Sequence, residues 1–217
     1  MNKINNESKI LRPFGPSILC VKIPEKMINE INTYIDEIIE NEKKARELNY
    51  GNKLIGDVTQ EFKLEKDFVE RIGWLTFLAN SASQWIETVT KQKIKEFLLI
   101  ETWVVRQFKN EYNPIHYHNG HISGAGFLKV PKSFGTYVQS NEKKDKGFLG
   151  GTLNLVHGSK AFMSESIFPI KPKVGDFYFF PHYLMHTVYP FKNTDEERRS
   201  ISFNAYIDQD IFNVYGR

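Results

Sequence analysis

Residues 198–207, RRSISFNAYI, alternate two kinds of side chain along a β-rich run. Arg198, Ser200, Ser202, Asn204 and Tyr206 share one face, and Arg199, Ile201, Phe203, Ala205 and Ile207 share the other, because side chains on a strand alternate with period two. From Ile201 onward the second face is apolar and is expected to pack on a sheet or helix. The first face is polar without being uniformly charged. Inside a jelly roll it would line the wet interior of a pocket; on the outside of a sheet it would be solvated, and the pattern fits both.

The surrounding chain supports a β-rich second half. FLLIETWVVRQF (97–108) reads as a long strand, and SGAGFLKVP (123–131), GTLNLV (151–156) and DFYFF (176–180) as shorter ones set off by Gly, Pro and Asn. Residues 132–149 are rich in Lys, Ser and Gly and read as a mobile surface loop placed where it would cover a substrate. Upstream, SILCVKI (17–23) is a first strand. Pro24 opens a helix marked by Met27, Ile28, Ile31, Tyr34, Ile35, Ile38 and Ile39, and a second helix carries Phe68, Val69, Ile72, Leu75, Leu78, Ala82, Trp85, Ile86 and Val89. Residues 44–63 between them read as a long polar connection. Trp74, Trp85 and the Ile/Met stripe are assigned to the core. Helices ahead of many short strands predict an α+β chain whose β part is a sandwich or jelly roll, with the helices packed on the sheet. A parallel doubly wound sheet fits poorly, since strands do not alternate with helices. One domain is expected over 1–217, with residues 1–96 a leading strand and helices and 97–217 the β core.

Composition narrows the function. The 217 residues hold 29 Lys+Arg against 26 Asp+Glu, a formal charge of +3, with no block of like charge to bind nucleic acid. No apolar run approaches the roughly 20 residues of a membrane span. The start, MNKINNESKI, is too polar for a secretory signal, so a soluble cytoplasmic protein is expected. The one cysteine, Cys20, can form neither an internal disulfide nor a thiolate zinc cage. All six histidines lie between His116 and His186, and chemistry is sought there.

NPIHYHNGH supplies His116, His118 and His121. In an extended segment His116 and His118 point the same way, which makes half of a metal site. Imidazole suits Zn, Cu, Fe and Ni alike. The block KPKVGDFYFFPHYLMHTVYPF adds His182 and His186, and twelve residues beyond His186 come Arg198 and Ser200 in the order R-x-S. A distal histidine can close a facial triad while the arginine fork and the serine hydroxyl clamp a carboxylate. That combination would hold a small dicarboxylate by its far end and leave the other end to chelate the metal. His121 and His182 read as surface or hydrogen-bonding residues, His157 as a turn residue and Asp176 as a turn aspartate.

With NPIHYHNGHISG (113–124), KVP (129–131), VGDFYFFPHYLMHTVYPF (174–191) and ERRSISFNAY (197–206), the chain resembles the Fe(II)/2-oxoglutarate-dependent oxygenases. Within them it resembles the small oxygenases of bacteria and phages that are related to prolyl hydroxylases. The resemblance covers residues 97–207 and implies a double-stranded β-helix with Fe(II) and the co-substrate 2-oxoglutarate in its open mouth. It implies His116 and His186 as metal ligands, Arg198 on the far carboxylate of 2-oxoglutarate, and Ser200 in support. Most of the superfamily has H-x-D or H-x-E; here the third position is His118, which implies a three-histidine site. Halogenases place a small residue there, so halogenation is disfavoured. Gly126–Phe127 stand where prolyl hydroxylases carry tyrosines, one of them a 2-oxoglutarate contact; Tyr178 and Lys129 are candidates to replace it. The activity implied is hydroxylation of a peptidyl proline, an amino acid or another small molecule, with release of succinate and CO2. Two alternatives stand beside it: a three-histidine dioxygenase that uses no 2-oxoglutarate, and a non-catalytic jelly-roll binding module.

Overall fold

The computed structural model describes residues 8–11, 15–134, 150–192 and 194–215; the loop expected over 132–149 lies outside them from residue 135 on. The elements are β1 (Lys9–Leu11), β2 (Ile18–Lys22), α1 (Glu25–Glu40), α2 (Glu42–Glu47), a 3-10 turn (Gly51–Lys53), β3 (Gln60–Lys63), α3 (Lys66–Arg71) and α4 (Trp74–Thr90). There follow β4 (Phe97–Gln107), β5 (Asn113–His116), β6 (Ile122–Lys129), β7 (Leu153–Val156), β8 (Ile167–Ile170), β9 (Asp176–Pro181), β10 (Met185–Val188), β11 (Arg198–Ile207) and α5 (Gln209–Tyr215).

Two antiparallel sheets form a double-stranded β-helix. The larger runs β1-β2-β9-β6-β11-β4-β3 and the smaller β5-β10-β7-β8. The helices pack on the outer face of the larger sheet, as the amphipathic stripes predicted. Buried Ile31, Ile35 and Ile38 of α1 and Trp74, Leu78, Ala82 and Trp85 of α4 meet Phe177 and Phe179 of β9 and Ile201, Phe203 and Ala205 of β11 in one cluster. Each large side chain there contributes about 1.5–3 kcal/mol by leaving water. The Trp74 indole N–H donates to Thr102 Oγ1 at 3.2 Å, so its polar edge is paired inside the core. β6 threads between rings: a Cβ on Gly126 would lie 2.3 Å from the Phe177 ring, and one on Gly124 would lie 2.5 Å from the Phe203 ring.

The front of the chain differs from expectation in three places. The helical pattern of 68–89 is cut at Gly73, whose φ of +75° suits glycine, into α3 and α4. The connection of 44–63 overlaps α2, capped by the Asn41 side chain accepting from the Lys44 N–H, and contains β3, which pairs with β4 from Gln60↔Arg106 to Lys63↔Trp103. β3 reads QEFK, too short and polar for a period-two signal to show. β1 lies ahead of the stretch 17–23 expected as the first strand and pairs with β2. Among the described residues no helix is long and apolar enough to cross a membrane.

Candidate metal centre

The register of the larger sheet explains the inner wall of the β-helix. Across β4, β11, β6 and β9 the residues Glu101, Asn204, Ser123 and Phe180 stand opposite one another; the next row is Trp103, Ser202, Ala125 and Tyr178. Beyond these come Val105, Ser200 and Phe127, then Gln107 and Arg198. Successive rows are two residues, or about 7 Å, apart. The polar face of 198–207 therefore looks inward. Arg198, Ser200, Ser202 and Asn204 line a cavity of about 250 Å³, and Tyr206 at the end of the strand is 42% exposed.

The smaller sheet brings the histidines to the same cavity. His116 on β5 and His186 on β10 are direct register partners. His118 follows two residues after the end of β5, where its backbone N–H donates to the His182 carbonyl at 3.1 Å and the His182 Nδ1–H donates to the His118 carbonyl at 2.9 Å. The ligand atoms of His116, His118 and His186 lie within 4.8 Å of one another, and His118 Nε2 is 3.0 Å from His186 Nε2. His116 Nδ1 donates to the Pro114 carbonyl at 2.7 Å and His186 Nδ1 to the Leu184 carbonyl at 2.9 Å. That leaves each Nε2 as a free lone pair aimed at the cluster.

Burial lowers the pKa of all three rings, that of His118 to about 3 and that of His186 well below its usual value. They are neutral at physiological pH, the state in which imidazole ligates. A metal held at about 2.1 Å by two nitrogens at right angles places those nitrogens roughly 3.0 Å apart, the separation seen between His118 and His186. The residues present fit a divalent metal such as Fe(II).

Arg198 sits at the other end of the wall. It is 2% exposed, its Nε donates to the Gly151 carbonyl at 3.0 Å, and its Nη1 donates to Ser200 Oγ at 3.2 Å. Its guanidinium carbon lies 5.1 Å from the Phe127 ring centre. Burial lowers its pKa to about 9. No carboxylate among the described residues pairs with it. A buried, unpaired guanidinium is costly unless an anion joins it.

The remaining sequence candidates lie elsewhere. His121 is buried with Nδ1 against the Ile207 backbone and its ring stacked 3.8 Å from Phe212. His157 follows β7, and its N–H donates to the Ser166 carbonyl. Asp176 opens β9 and pairs with Lys22. Tyr178 bonds Cys20 and Lys129 pairs with Asp36 at 3.4 Å, and neither is among the residues that line the cavity. Sequence reasoning missed Glu101, Trp103 and Asn113, and also Lys53, Leu54 and Ile55 from the presumed connection, all of which line it. For Glu101 and Trp103 the signal was present, since they alternate along the strand read at 97–108.

The β-helix brings three convergent imidazoles and an arginine that no described carboxylate pairs into one cavity, an arrangement able to hold a metal ion and an anion. Residues 101–204 match the family model described as "Putative 2OG-Fe(II) oxygenase". A search of curated proteins finds no significant match. Among solved structures, a prolyl-4-hydroxylase of Pseudomonas putida is similar at 14% identity over 86% of this chain and 91% of that one, TM-score 0.55. A prolyl hydroxylase of Trichoplax adhaerens, in complex with a hypoxia inducible factor peptide fragment, is similar at 11% identity over 92% and 87%, TM-score 0.54. HygX of Streptomyces hygroscopicus, with nickel, 2-oxoglutarate and hygromycin B bound, is similar at 13% identity over 86% and 81%, TM-score 0.53. Residues 101–204 of the β-helix are thus similar to the Fe(II)/2-oxoglutarate-dependent oxygenases, whose fold the chain shares, and the three histidines fit the iron of such a site.

Proposed function

We propose that His116, His118 and His186 hold the Fe(II), that Arg198 with Ser200 holds the far carboxylate of 2-oxoglutarate, and that the enzyme hydroxylates a small-molecule or peptide substrate. When bound, the pair supplies oxygen activation: one atom of O2 goes to 2-oxoglutarate, which leaves as succinate and CO2, and the other enters a substrate C–H bond as hydroxyl. The chain does the rest. The two backbone carbonyls on Nδ1 fix the tautomers of His116 and His186. The exchanged bonds between His118 and His182 anchor the backbone that presents the third ring. Ser200 and the Gly151 carbonyl turn the Arg198 fork toward the cavity. Phe127, Leu153 and Phe180, all nearly fully buried, keep water from the inner end.

The observation that carries this reading is Arg198, a buried cation that no carboxylate of the described residues pairs, on the wall of the cavity that holds the triad. The test is anaerobic titration of the metal-free protein with Fe(II) and then 2-oxoglutarate, following the visible charge-transfer band of the chelate. The band is expected in wild type and weakened in Arg198→Ala. Iron uptake without a band indicates a three-histidine dioxygenase that uses no 2-oxoglutarate, with Arg198 serving a substrate acid. No iron uptake overturns the reading and leaves a binding module.

A further inference from the structure

Glu101 stands on the inner wall three rows from Arg198, about 20 Å along the strands. Its carboxylate is held from two sides by neutral donors. The Tyr50 hydroxyl donates to Oε2, and the Asn204 amide donates to Oε1 at 2.8 Å. Asn204 is itself fixed, because its Oδ1 accepts from the buried Ser123 hydroxyl at 2.7 Å. The carboxylate is thus oriented without being neutralised. No Lys, Arg or His among the described residues pairs with it. Lys53, which also lines the cavity, holds its ammonium 5.5 Å from the Tyr50 ring centre.

Glu101 lines the same cavity as the triad, and Trp103, the next inward residue of its strand, is 5.7 Å from the His118 ring. The cavity therefore has a cation at one end, Arg198, and a carboxylate toward the other, with the three histidines on the facing sheet. Each carboxylate oxygen has two acceptor positions, and one donor on each leaves a position open on both. A positively charged N–H donor satisfies that vacancy better than a neutral hydroxyl, while an acid brought there meets like charge in a low dielectric.

We propose that Glu101 is the specificity-determining residue of this site and selects a substrate bearing a cationic nitrogen, an amine or guanidine, close to the carbon to be oxidised. The inference rests on the oxygenase reading above. The co-substrate and the substrate are then sorted by charge. An anionic co-substrate is drawn to Arg198 and turned away from Glu101, and the aminated substrate takes the opposite end.

The test uses three shape-matched probes, cyclohexylamine, cyclohexanol and cyclohexanecarboxylate, titrated anaerobically by calorimetry into protein loaded with Fe(II) and 2-oxoglutarate. The charge-transfer band is recorded before each titration. The amine is expected to bind at least about tenfold more tightly than the alcohol, with the acid weakest. In Glu101→Gln the amine preference is expected to disappear while the band persists. Equal binding of amine and alcohol by wild type overturns the proposal, as does a preference that survives Glu101→Gln. Wild type alone decides the first outcome, so a variant that fails to fold does not shelter the idea. Absence of the band in wild type marks instead a failure of the oxygenase reading.

Discussion

Arg198 and Arg199 are neighbours on β11 with opposite electrostatic surroundings. Both are buried, but Arg199 points to the helix side and is saturated there. Its Nε donates to Glu197 at 2.6 Å, its Nη2 to Asp36 at 2.6 Å and its Nη1 to Asn32 at 3.0 and 3.1 Å. Arg198 has a carbonyl and a hydroxyl. One arginine ties strand to helix, and the other is left for a ligand.

Thermal unfolding will separate the two. Arg199→Met removes the buried donors that tie Glu197, Asp36 and Asn32 together, although Glu197 keeps Arg106 and Asp36 keeps Lys129, and is expected to cost roughly 1–3 kcal/mol. Arg198→Met removes an uncompensated buried charge, so the ligand-free variant should melt no lower than wild type. It should also lose the stabilisation that 2-oxoglutarate gives, about 2.7 kcal/mol at a hundredfold excess over Kd. A large loss of ligand-free stability in Arg198→Met would count against its role as a ligand site.

Glu61 gives a pH signature. It is 1% exposed, neither carboxylate oxygen has a partner, and burial, with Glu111 adding to it, lifts its pKa from 4.5 to about 7. Below 4.5 the group is protonated folded and unfolded, and it costs nothing extra. As pH rises from there through about 7 the unfolded chain releases the proton first, and stability falls toward a plateau. Glu61→Gln is expected to be close to neutral at pH 4.5 and to gain up to about 3 kcal/mol at pH 8. Denaturant titrations at the two pH values read this directly; a gain independent of pH would refute it.

His118 can be tested by replacement with the more usual ligand. His118→Asp is expected to keep both iron and the 2-oxoglutarate band, since a carboxylate is a competent third ligand. His186→Ala should weaken iron at least about 100-fold, the upper range found even for groups behind the ligands. Equal affinity of His186→Ala and wild type by metal titration would remove His186 from the site.

Gly126→Ala probes the close passage of β6. The added methyl would meet the Phe177 ring at 2.3 Å and the Asp176 carbonyl at 2.7 Å, and backbone cannot yield as a side-chain tip can. A loss of about 1–3 kcal/mol is expected. The effect should appear in the unfolding midpoint with little change in metal affinity, because the methyl would point toward the helices.

Much of this was readable in the chain because the decisive strands are long. β4 and β11 each show several cycles of alternation, and β11 displays its two faces residue by residue. The ligand candidates were visible because all six histidines fall between His116 and His186. What was hidden is short or built at a distance. β3, β5 and β10 have four residues each, too few for a period to declare itself. The orphaned state of Arg198 and the tethering of Glu101 by Tyr50, 51 positions away, exist only once strands are in register. Tyr178 drew attention as an aromatic in the right region, yet its hydroxyl is turned to Cys20 on the neighbouring strand β2.

The two-faced character of β11 makes the site intolerant of a change in length. One residue added or deleted between Arg198 and Asn204 would exchange the faces beyond it, sending Phe203 toward the histidines and a polar amide into the helices. Insertions and deletions there would have to come in pairs. Thr194, Asp195 and Glu196, ahead of the strand and outside the sheet, carry no such parity. A change of length at these three positions would leave the alternation of β11 as it is.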